Sequence, residues 1–362
     1  MDYLRKRYST KINAENRIDP SALDPEIQDH NNTRPSVRFG GGPLLFTRCV
    51  FLLSWIAQHT DVVPKVVQVG LVLVGTCYVV FCLLKFKRWN DEMRYVPRFA
   101  LCAIAMAVEL TTENFLVWVV SATDANRMKR VPGLQDNVEL FFLSLSERSP
   151  LLRHMLGFRW ANIVHFLGAA VGLSVSPLWD QVPYSGFGMM SRFLLTICLS
   201  RIVRTVCFLA TVLPSPRPGC FMRRFPPTPD NWWEFVKIGF SQMKGTGGCN
   251  DLIFSGHCGI WVLTPLLYHS YYQGKGCWLL WLALFQTSLR DVLERQHYSV
   301  DMVLAVVIVP LIWRELSWVY PNTNYIRERP PNSPGDPISP AMAALVIAVL
   351  LVVVGFVVKS GS

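Results

Sequence analysis

The chain has 362 residues, of which 51% are hydrophobic and only 17% are charged. A soluble protein of this length carries a larger share of charged residues, so the composition predicts a membrane protein with several spans. The formal net charge is +10, but no basic run alternates with aromatic side chains, so lipid headgroups are favoured over nucleic acid as partners.

The N-terminal 43 residues are predicted to form a disordered tail. They are polar and charged, contain scattered proline and asparagine, and end close to three consecutive glycines. Such a segment has too few apolar side chains to offset the entropy that folding costs. The membrane-embedded core is therefore predicted to begin at residue 44 and to extend to residue 320.

Apolar stretches of the core predict transmembrane helices, because about 20 apolar residues cross a bilayer as a helix. Leu44–Gln58 is shorter and contains Arg48, so an interfacial helix and part of a first span are both open. The other apolar stretches are Val66–Phe86, Phe99–Ala122, Phe158–Leu178, Met189–Leu213, Ile260–Tyr268, Cys277–Leu289 and Ser299–Val319. The predicted fold is an all-α, polytopic transmembrane helix bundle with a six-helix catalytic core and additional flanking helices.

Two of these stretches carry charged residues at helical spacing. Glu109 and Glu113 lie four residues apart, and each carboxylate costs about 2.5–3.5 kcal/mol at the centre of a bilayer, so both are expected to face the bundle interior. Arg201 and Arg204 lie three residues apart in a later span. Their guanidinium groups suit either a substrate phosphate or the two glutamates, and both alternatives remain open.

The long connections have different compositions. Residues 123–157 are predicted to form a polar, partly helical loop. Residues 214–250 are rich in proline and contain the aromatic run Trp232–Phe235, which suits the headgroup zone or, by cation–π contact, a quaternary ammonium group. Cys220 and Cys249 share this loop and can form a disulfide if it faces the lumen.

Charge in the connections predicts the orientation in the membrane. The Lys85–Arg98 connection is short and basic, which favours the cytosolic side. Alternating crossings then put the loop before His257 on the lumenal or extracellular side. Beyond the core, residues 321–340 form a Pro-rich connector, and Ala341–Val358 is just long enough for a C-terminal transmembrane helix.

Two histidine motifs are separated by a pair of apolar crossings. His257 ends the triplet Ser-Gly-His, and His297 lies 40 residues later at the start of His-Tyr-Ser-Val-Asp. Two crossings return the chain to the face it left, so both histidines are expected at one membrane surface. Asp301 follows His297 by one helical turn and can orient its ring. A carboxylate-oriented histidine with a second histidine nearby favours attack on, and release of, a phosphoryl group.

These motifs resemble those of a known family. The run Cys249–His257, followed by His297–Asp301, is similar to the paired signatures of the sphingomyelin synthase-related enzymes. Those enzymes are the lipid phosphotransferase branch of the type 2 phosphatidic acid phosphatase superfamily. Arg201–Arg204 and Thr211–Pro216 are similar to a further signature, and the resemblance extends over roughly residues 185–320.

At two positions the sequence differs from patterns known in this superfamily. Asn250 stands where the family usually has glycine, so the turn of this loop is expected to differ. Asp291 stands six residues before His297, where the phosphatase branch carries arginine. That absence favours a transferase over a phosphatase.

The resemblance implies an enzyme that moves a phospho-headgroup from a glycerophospholipid to ceramide and releases diacylglycerol. The headgroup is phosphocholine, phosphoethanolamine or phosphoinositol. His297, oriented by Asp301, is expected to form a phosphohistidine, and His257 to act as acid and base. No metal or other cofactor is expected, because arginine and histidine supply positive charge. The predicted substrate-binding residues are Arg201, Arg204, Asp251, Ser255, Gly256 and Tyr298.

The expected partners are membrane lipids, with a homo-oligomer open. The expected location is the Golgi, the endoplasmic reticulum or the plasma membrane, with the site facing the lumen or the outside. One alternative is a lipid phosphate phosphatase that hydrolyses phosphatidate-type substrates. Another is a non-enzymatic lipid sensor or scramblase, which has no need of His257, His297 and Asp301 together.

Overall fold

The computed structural model describes residues 92–125, 129, 132–157, 160–178, 184–241, 249, 252–271 and 277–319. The predicted N-terminal tail, the first two apolar stretches, the Pro-rich connector and the C-terminal span lie outside these residues. Asn250 and Asp251 also lie outside them, so the expectations for these two positions stay predictions.

The described residues form α-helices and contain no β-strand, which confirms the predicted all-α class. We number the helices in chain order: α1 Val96–Thr123, α2 Asn137–Arg148, α3 Pro150–Gly157, α4 Trp160–Leu178, α5 Gly186–Ala210, α6 Cys220–Arg224, α7 Trp232–Ser241, α8 Gly256–Tyr271, α9 Cys277–Leu293 and α10 Ser299–Val319.

Within this part of the chain, α1 and α5 are long and apolar enough to cross a membrane by length and composition. Their surfaces carry exposed apolar stripes, such as Leu101, Ile104 and Val108 on α1. An apolar surface of this extent is typical of contact with lipid or another protein. Helix α5 ends at Ala210, before the predicted end of the span, because the chain is already extended at Thr211, ahead of Pro214.

Helix α8 lies at the centre of the bundle and packs against α4, α5, α9 and α10. Its side chains Trp261, Leu263 and Leu267 are almost completely buried, and so are Val164 of α4 and Val309 of α10. A helix surrounded on all sides is apolar around its whole circumference. Its N-terminal end, which carries His257, is therefore held rigidly by the packing of the rest of the helix.

Residues 123–157, predicted to form a polar and partly helical loop, contain the helices α2 and α3. Helix α2 begins after Asp136, whose carboxylate accepts hydrogen bonds from the backbone N–H groups of Val138 and Glu139. Helix α3 begins at Pro150, a residue favoured in the first turn of a helix. Both helices pack against α9, the helix that leads into the second histidine motif.

Candidate active site

The carboxylate of Asp301 joins the two histidine motifs. Its Oδ2 lies 3.0 Å from Nδ1 of His297 and accepts the backbone N–H of Tyr298 at 3.1 Å. Its Oδ1 accepts the backbone N–H of Ile253 at 2.9 Å, and its backbone carbonyl accepts the N–H of Ser255 at 3.3 Å. Asp301 is fully buried, so these contacts are shielded from water. The segment that leads into His257 is thus bonded to the residue that orients His297.

The turn before α8 holds an unusual backbone conformation. Ile253 has φ of 78°, in the left-handed region that a β-branched residue rarely adopts. Such a conformation costs about 1–3 kcal/mol and persists only when its surroundings enforce it. The hydrogen bond from the Ile253 N–H to Asp301 is one of the contacts that stabilise it.

The two histidine side chains differ in exposure. His257 lies in the first turn of α8 and is exposed, with its ring centroid 6.1 Å from that of Trp261 one turn further along the helix. The His297 side chain is 11% exposed and lies in the turn between α9 and α10. Both rings therefore have surface that a substrate can reach, His257 far more than His297.

Ser255 lies next to this site but its side chain is already engaged. It is fully buried, and its Oγ accepts the backbone N–H of Cys258 at 3.2 Å, as a helix N-cap does. The side chain thus fixes the start of α8. At the first turn of a helix the helix dipole favours an anion.

The glutamates of α1 and the arginines of α5 form a buried chain of ion pairs. Glu109 accepts a hydrogen bond from Nε of Arg201 at 2.7 Å, and Glu113 accepts one from Nη1 of Arg204 at 2.6 Å. Nη2 of Arg201 also forms an ion pair with Glu113 at 2.9 Å. The ion pairs that the sequence left open are present. The predicted contact of Arg201 and Arg204 with substrate stays a prediction. Arg204 also lies against the first turn of α8, because a Cβ at Gly256 would be 2.8 Å from its Nη1.

Tyr298 has its hydroxyl group between two backbone groups. The hydroxyl donates to the carbonyl of Pro214 at 2.9 Å and accepts the N–H of Leu134 at 2.9 Å. The side chain is buried, and this burial raises the pKa of Tyr298 above its ordinary value. In this arrangement the hydroxyl connects three segments of the chain and positions the turn after His297. The predicted contact of Tyr298 with substrate stays a prediction.

Sequence reasoning missed two acidic residues that hold the His297 turn. Asp136 accepts the backbone N–H of Ser299 at 2.6 Å, and Glu139 accepts from Nε of Arg295 at 2.6 Å. The available signal was Asp136 itself, which precedes a helical run at the spacing of an N-cap residue. Its second role, on a turn 163 residues away, depends on tertiary structure.

Cys220 and Cys249 form a disulfide, the pairing that the sequence left open. Both cysteines are buried and, with Phe221, form a small apolar cluster against which Phe225 packs. The disulfide anchors the loop just before the Ser-Gly-His motif to helix α6.

Asp291, the position that distinguishes the phosphatase branch, lies near the end of α9. Its carboxylate is buried, and Nη2 of Arg290 approaches its Oδ1 at 3.5 Å. The next turn is capped by Arg217, which donates to the backbone carbonyl of Glu294 at 3.1 Å. The C-terminal end of α9 is thus held in place by Arg217, which lies in the Pro-rich segment 214–250.

Residues 248–318 match the family model described as PAP2 superfamily C-terminal. This segment contains both histidine motifs, the helical hairpin of α8 and α9 between them, and most of α10. Over these residues the chain is therefore similar to proteins of the PAP2 superfamily.

Individual relatives make this similarity more specific. The chain is 27% identical over 305 residues to Protein PHLOEM UNLOADING MODULATOR of Arabidopsis thaliana, and the aligned region covers 67% of this chain and 71% of that protein. It is 34% identical over 157 residues to the phosphatidylinositol:ceramide inositolphosphotransferase of Oryza sativa subsp. japonica, covering 42% of this chain and 46% of the enzyme. It is 27% identical over 147 residues to phosphatidylcholine:ceramide cholinephosphotransferase 1 of Gallus gallus, covering 37% and 34%.

These matches confirm the resemblance to the sphingomyelin synthase-related branch that the motifs indicated, and they support a phosphotransferase role on lipids. The match spans less than half of the length of each of these two ceramide phosphotransferases. The match to the Arabidopsis protein is the longer one, and the name of that protein states no reaction.

Proposed function

We propose that the protein transfers a phospho-headgroup from a glycerophospholipid to ceramide. The observation that carries this proposal is the set of contacts to Asp301, which orient His297 and hold the approach to His257 beside it. Relatives named as inositolphosphotransferases and a cholinephosphotransferase, all acting on ceramide by their names, support the same reaction class.

In the first half-reaction, Nε2 of His297 attacks the phosphorus of the donor lipid. The proton on Nδ1 stays hydrogen-bonded to Asp301, which stabilises the positive charge that develops on the ring. The bond between phosphorus and the diacylglycerol oxygen breaks as the new nitrogen–phosphorus bond forms. His257 donates a proton to the departing oxygen, so diacylglycerol leaves as a neutral alcohol.

In the second half-reaction, neutral His257 takes the proton from the primary hydroxyl of ceramide. The hydroxyl oxygen attacks the phosphorus, and the nitrogen–phosphorus bond to His297 breaks. The headgroup then resides on ceramide, and both histidines return to their starting protonation states. Splitting the reaction in this way replaces one difficult displacement by two easier ones.

In this proposal two groups supply positive charge to the phosphoryl oxygens. The backbone N–H groups of the first turn of α8 supply one part. Arg204 supplies the other, since its guanidinium group lies against Gly256 while Glu113 holds it in place. A guanidinium group presents paired donors to phosphate oxygens, which suits a transition state with charge spread over them.

We place the protein in the membrane with this site on the lumenal or extracellular side. The exposed apolar stripes of α1 and α10 support contact with lipid. The disulfide in the loop before His257 supports the orientation, because disulfides persist in oxidising compartments.

The test uses purified protein in liposomes with labelled ceramide and a panel of phosphatidylinositol, phosphatidylcholine and phosphatidylethanolamine donors. We expect one donor to yield a labelled headgroup–ceramide product and an equal amount of diacylglycerol, both measured by mass spectrometry. Release of free phosphate from phosphatidate, with no transfer to ceramide, would contradict the proposal and indicate a phosphatase. No turnover with any donor would favour the lipid sensor or scramblase.

A further inference from the structure

Helix α2 has an inverted distribution of polar and apolar side chains. The face that packs against the protein contains buried Glu139 and Ser146, whereas Val138, Phe141 and Leu145 are exposed. Phe141 alone has 60% of its surface exposed. A helix on a water-facing surface buries its apolar side instead, so this stripe is expected to contact something other than water.

The buried polar face of α2 has defined partners in the candidate site. Glu139 is paired with Arg295, and the N-cap residue Asp136 binds the N–H of Ser299. These contacts fix the rotation of the helix about its axis. The apolar stripe must therefore point away from the His297 turn.

The stripe of α2 is followed by further exposed apolar residues on α3. Leu151 and Met155 lie four residues apart on the same side of α3 and are 70% and 52% exposed. Gln286 of α9 donates to the backbone carbonyl of Met155 at 3.0 Å, so this part of α3 lies directly beside α9. Phe285, the residue before Gln286, is itself 62% exposed.

On α9 the exposed residues form a stripe along a predicted membrane crossing. Trp278, Leu282 and Phe285 are at helical spacing, and the middle of such a crossing is surrounded by acyl chains. Because α3 contacts α9 at Phe285 and Gln286, the apolar surface of α3 continues that of α9. This continuity identifies the bilayer as the partner of the stripe on α2 and α3.

The other exposed side of α2 is largely polar. Asn137, Ser144 and Glu147 lie there, together with Leu140. A helix with one apolar side in lipid and one polar side in water lies parallel to the membrane surface, with its apolar face about 5–10 Å into the boundary of headgroups and acyl chains.

We infer that α2 and α3 lie in the membrane interface on the side of the two histidines, with Val138, Phe141, Leu145, Leu151 and Met155 in contact with lipid. In that position α2 separates the bilayer from the His297 turn, because its apolar face contacts lipid and its buried polar face contacts the turn. This inference rests on the proposed placement of the protein in a membrane.

The experiment measures the surroundings of single nitroxide labels in phosphatidylcholine liposomes. Labels are attached at Phe141→Cys, at Glu147→Cys and at Phe285→Cys, and the unaltered chain, labelled in parallel, gives the background from native thiols. Residues 141 and 147 lie about 120° apart around the same helix, so they form a matched pair. Accessibility to oxygen, which enters the acyl region, is compared with accessibility to a water-soluble nickel chelate.

We expect higher oxygen than nickel accessibility at positions 141 and 285, and the reverse at position 147. If position 141 behaves like position 147 while position 285 remains in lipid, the inference is wrong and the proposed function is unaffected. If position 147 is also in lipid, α2 is submerged rather than interfacial, and the inference is again wrong. A water-exposed position 285 would contradict both this inference and the membrane placement within the proposed function.

Discussion

At the scale of single residues, Asp301 connects what the sequence predicts with what only the fold provides. The spacing of four residues predicts that its carboxylate faces His297, and the distance of 3.0 Å agrees with that expectation. The hydrogen bonds that it accepts from Ile253 and Ser255 come from a segment 48 and 46 residues earlier and depend on the packing of α8 beside α10. No local pattern encodes those contacts.

Replacing either histidine should abolish most of the activity while leaving the fold intact. We expect His257→Ala and His297→Ala each to lower turnover by about 10³-fold or more, because a nucleophile or a proton donor is lost. Asp301→Asn should be severe but milder than His297→Ala, since the amide favours the wrong ring tautomer. Turnover is measured with labelled ceramide, and thermal unfolding checks the fold. Near-normal activity in a folded histidine variant would contradict the mechanism.

Glu113 and Glu109 offer a matched test of how Arg204 is held. Glu113 forms ion pairs with both Arg201 and Arg204, whereas Glu109 forms an ion pair with Arg201. We expect Glu113→Gln to lower kcat/KM for the donor lipid by about tenfold more than Glu109→Gln, which corresponds to about 1.4 kcal/mol. Equal losses in both variants, tracked by equal losses in thermal stability, would show that the ion pairs act on folding alone.

At the scale of elements, the segment 123–157 shows where the sequence interpretation was incomplete. Its mixture of apolar and charged residues predicts a polar, partly helical loop when polar residues are taken as the exposed ones. Helix α2 reverses that assignment, because Glu139 is buried against Arg295 and Phe141 is exposed. Periodicity alone does not say which face of an interfacial helix meets lipid.

Asp136 should matter more than an acidic residue of a loop, since it caps α2 and also holds the turn after His297. We expect Asp136→Ala to lower the free energy of unfolding by about 0.5–2 kcal/mol from the lost cap alone. Turnover should also fall, because the N–H of Ser299 loses its partner. Asp230→Ala, at an exposed position, serves as the control. A thermal unfolding temperature and a turnover equal to those of this control would contradict the assigned role.

At the scale of the whole molecule, the helical class and the resemblance to lipid phosphotransferases were predictable from the sequence. Long apolar stretches predict helices, and the ordered pair of histidine motifs predicts the class. The joining of Cys220 to Cys249 was open, because separation along the chain does not fix distance in space. The ion pairs between α1 and α5 were likewise one of two alternatives.

The orientation in the membrane can be tested through this disulfide. We expect protein extracted from cells in the presence of an alkylating reagent to yield a Cys220–Cys249 cross-linked peptide by mass spectrometry. Cysteines introduced at Ser215–Asp230 should react only from the lumenal or outer side, opposite to Lys85–Arg98. Alkylated Cys220 and Cys249, together with labelling of both segments from the cytosol, would contradict the proposed orientation.

The measurement that tests the proposed reaction most directly is loading of the enzyme by the donor alone. A donor lipid labelled in its headgroup phosphate, incubated without acceptor, should leave an acid-labile label on the protein. The label should be absent in His297→Ala and should form slowly but persist in His257→Ala. A chiral-phosphate donor should give retention of configuration in the product, as two successive in-line displacements require. Inversion, with no label on the protein, would mean direct attack by ceramide and would contradict the phosphohistidine.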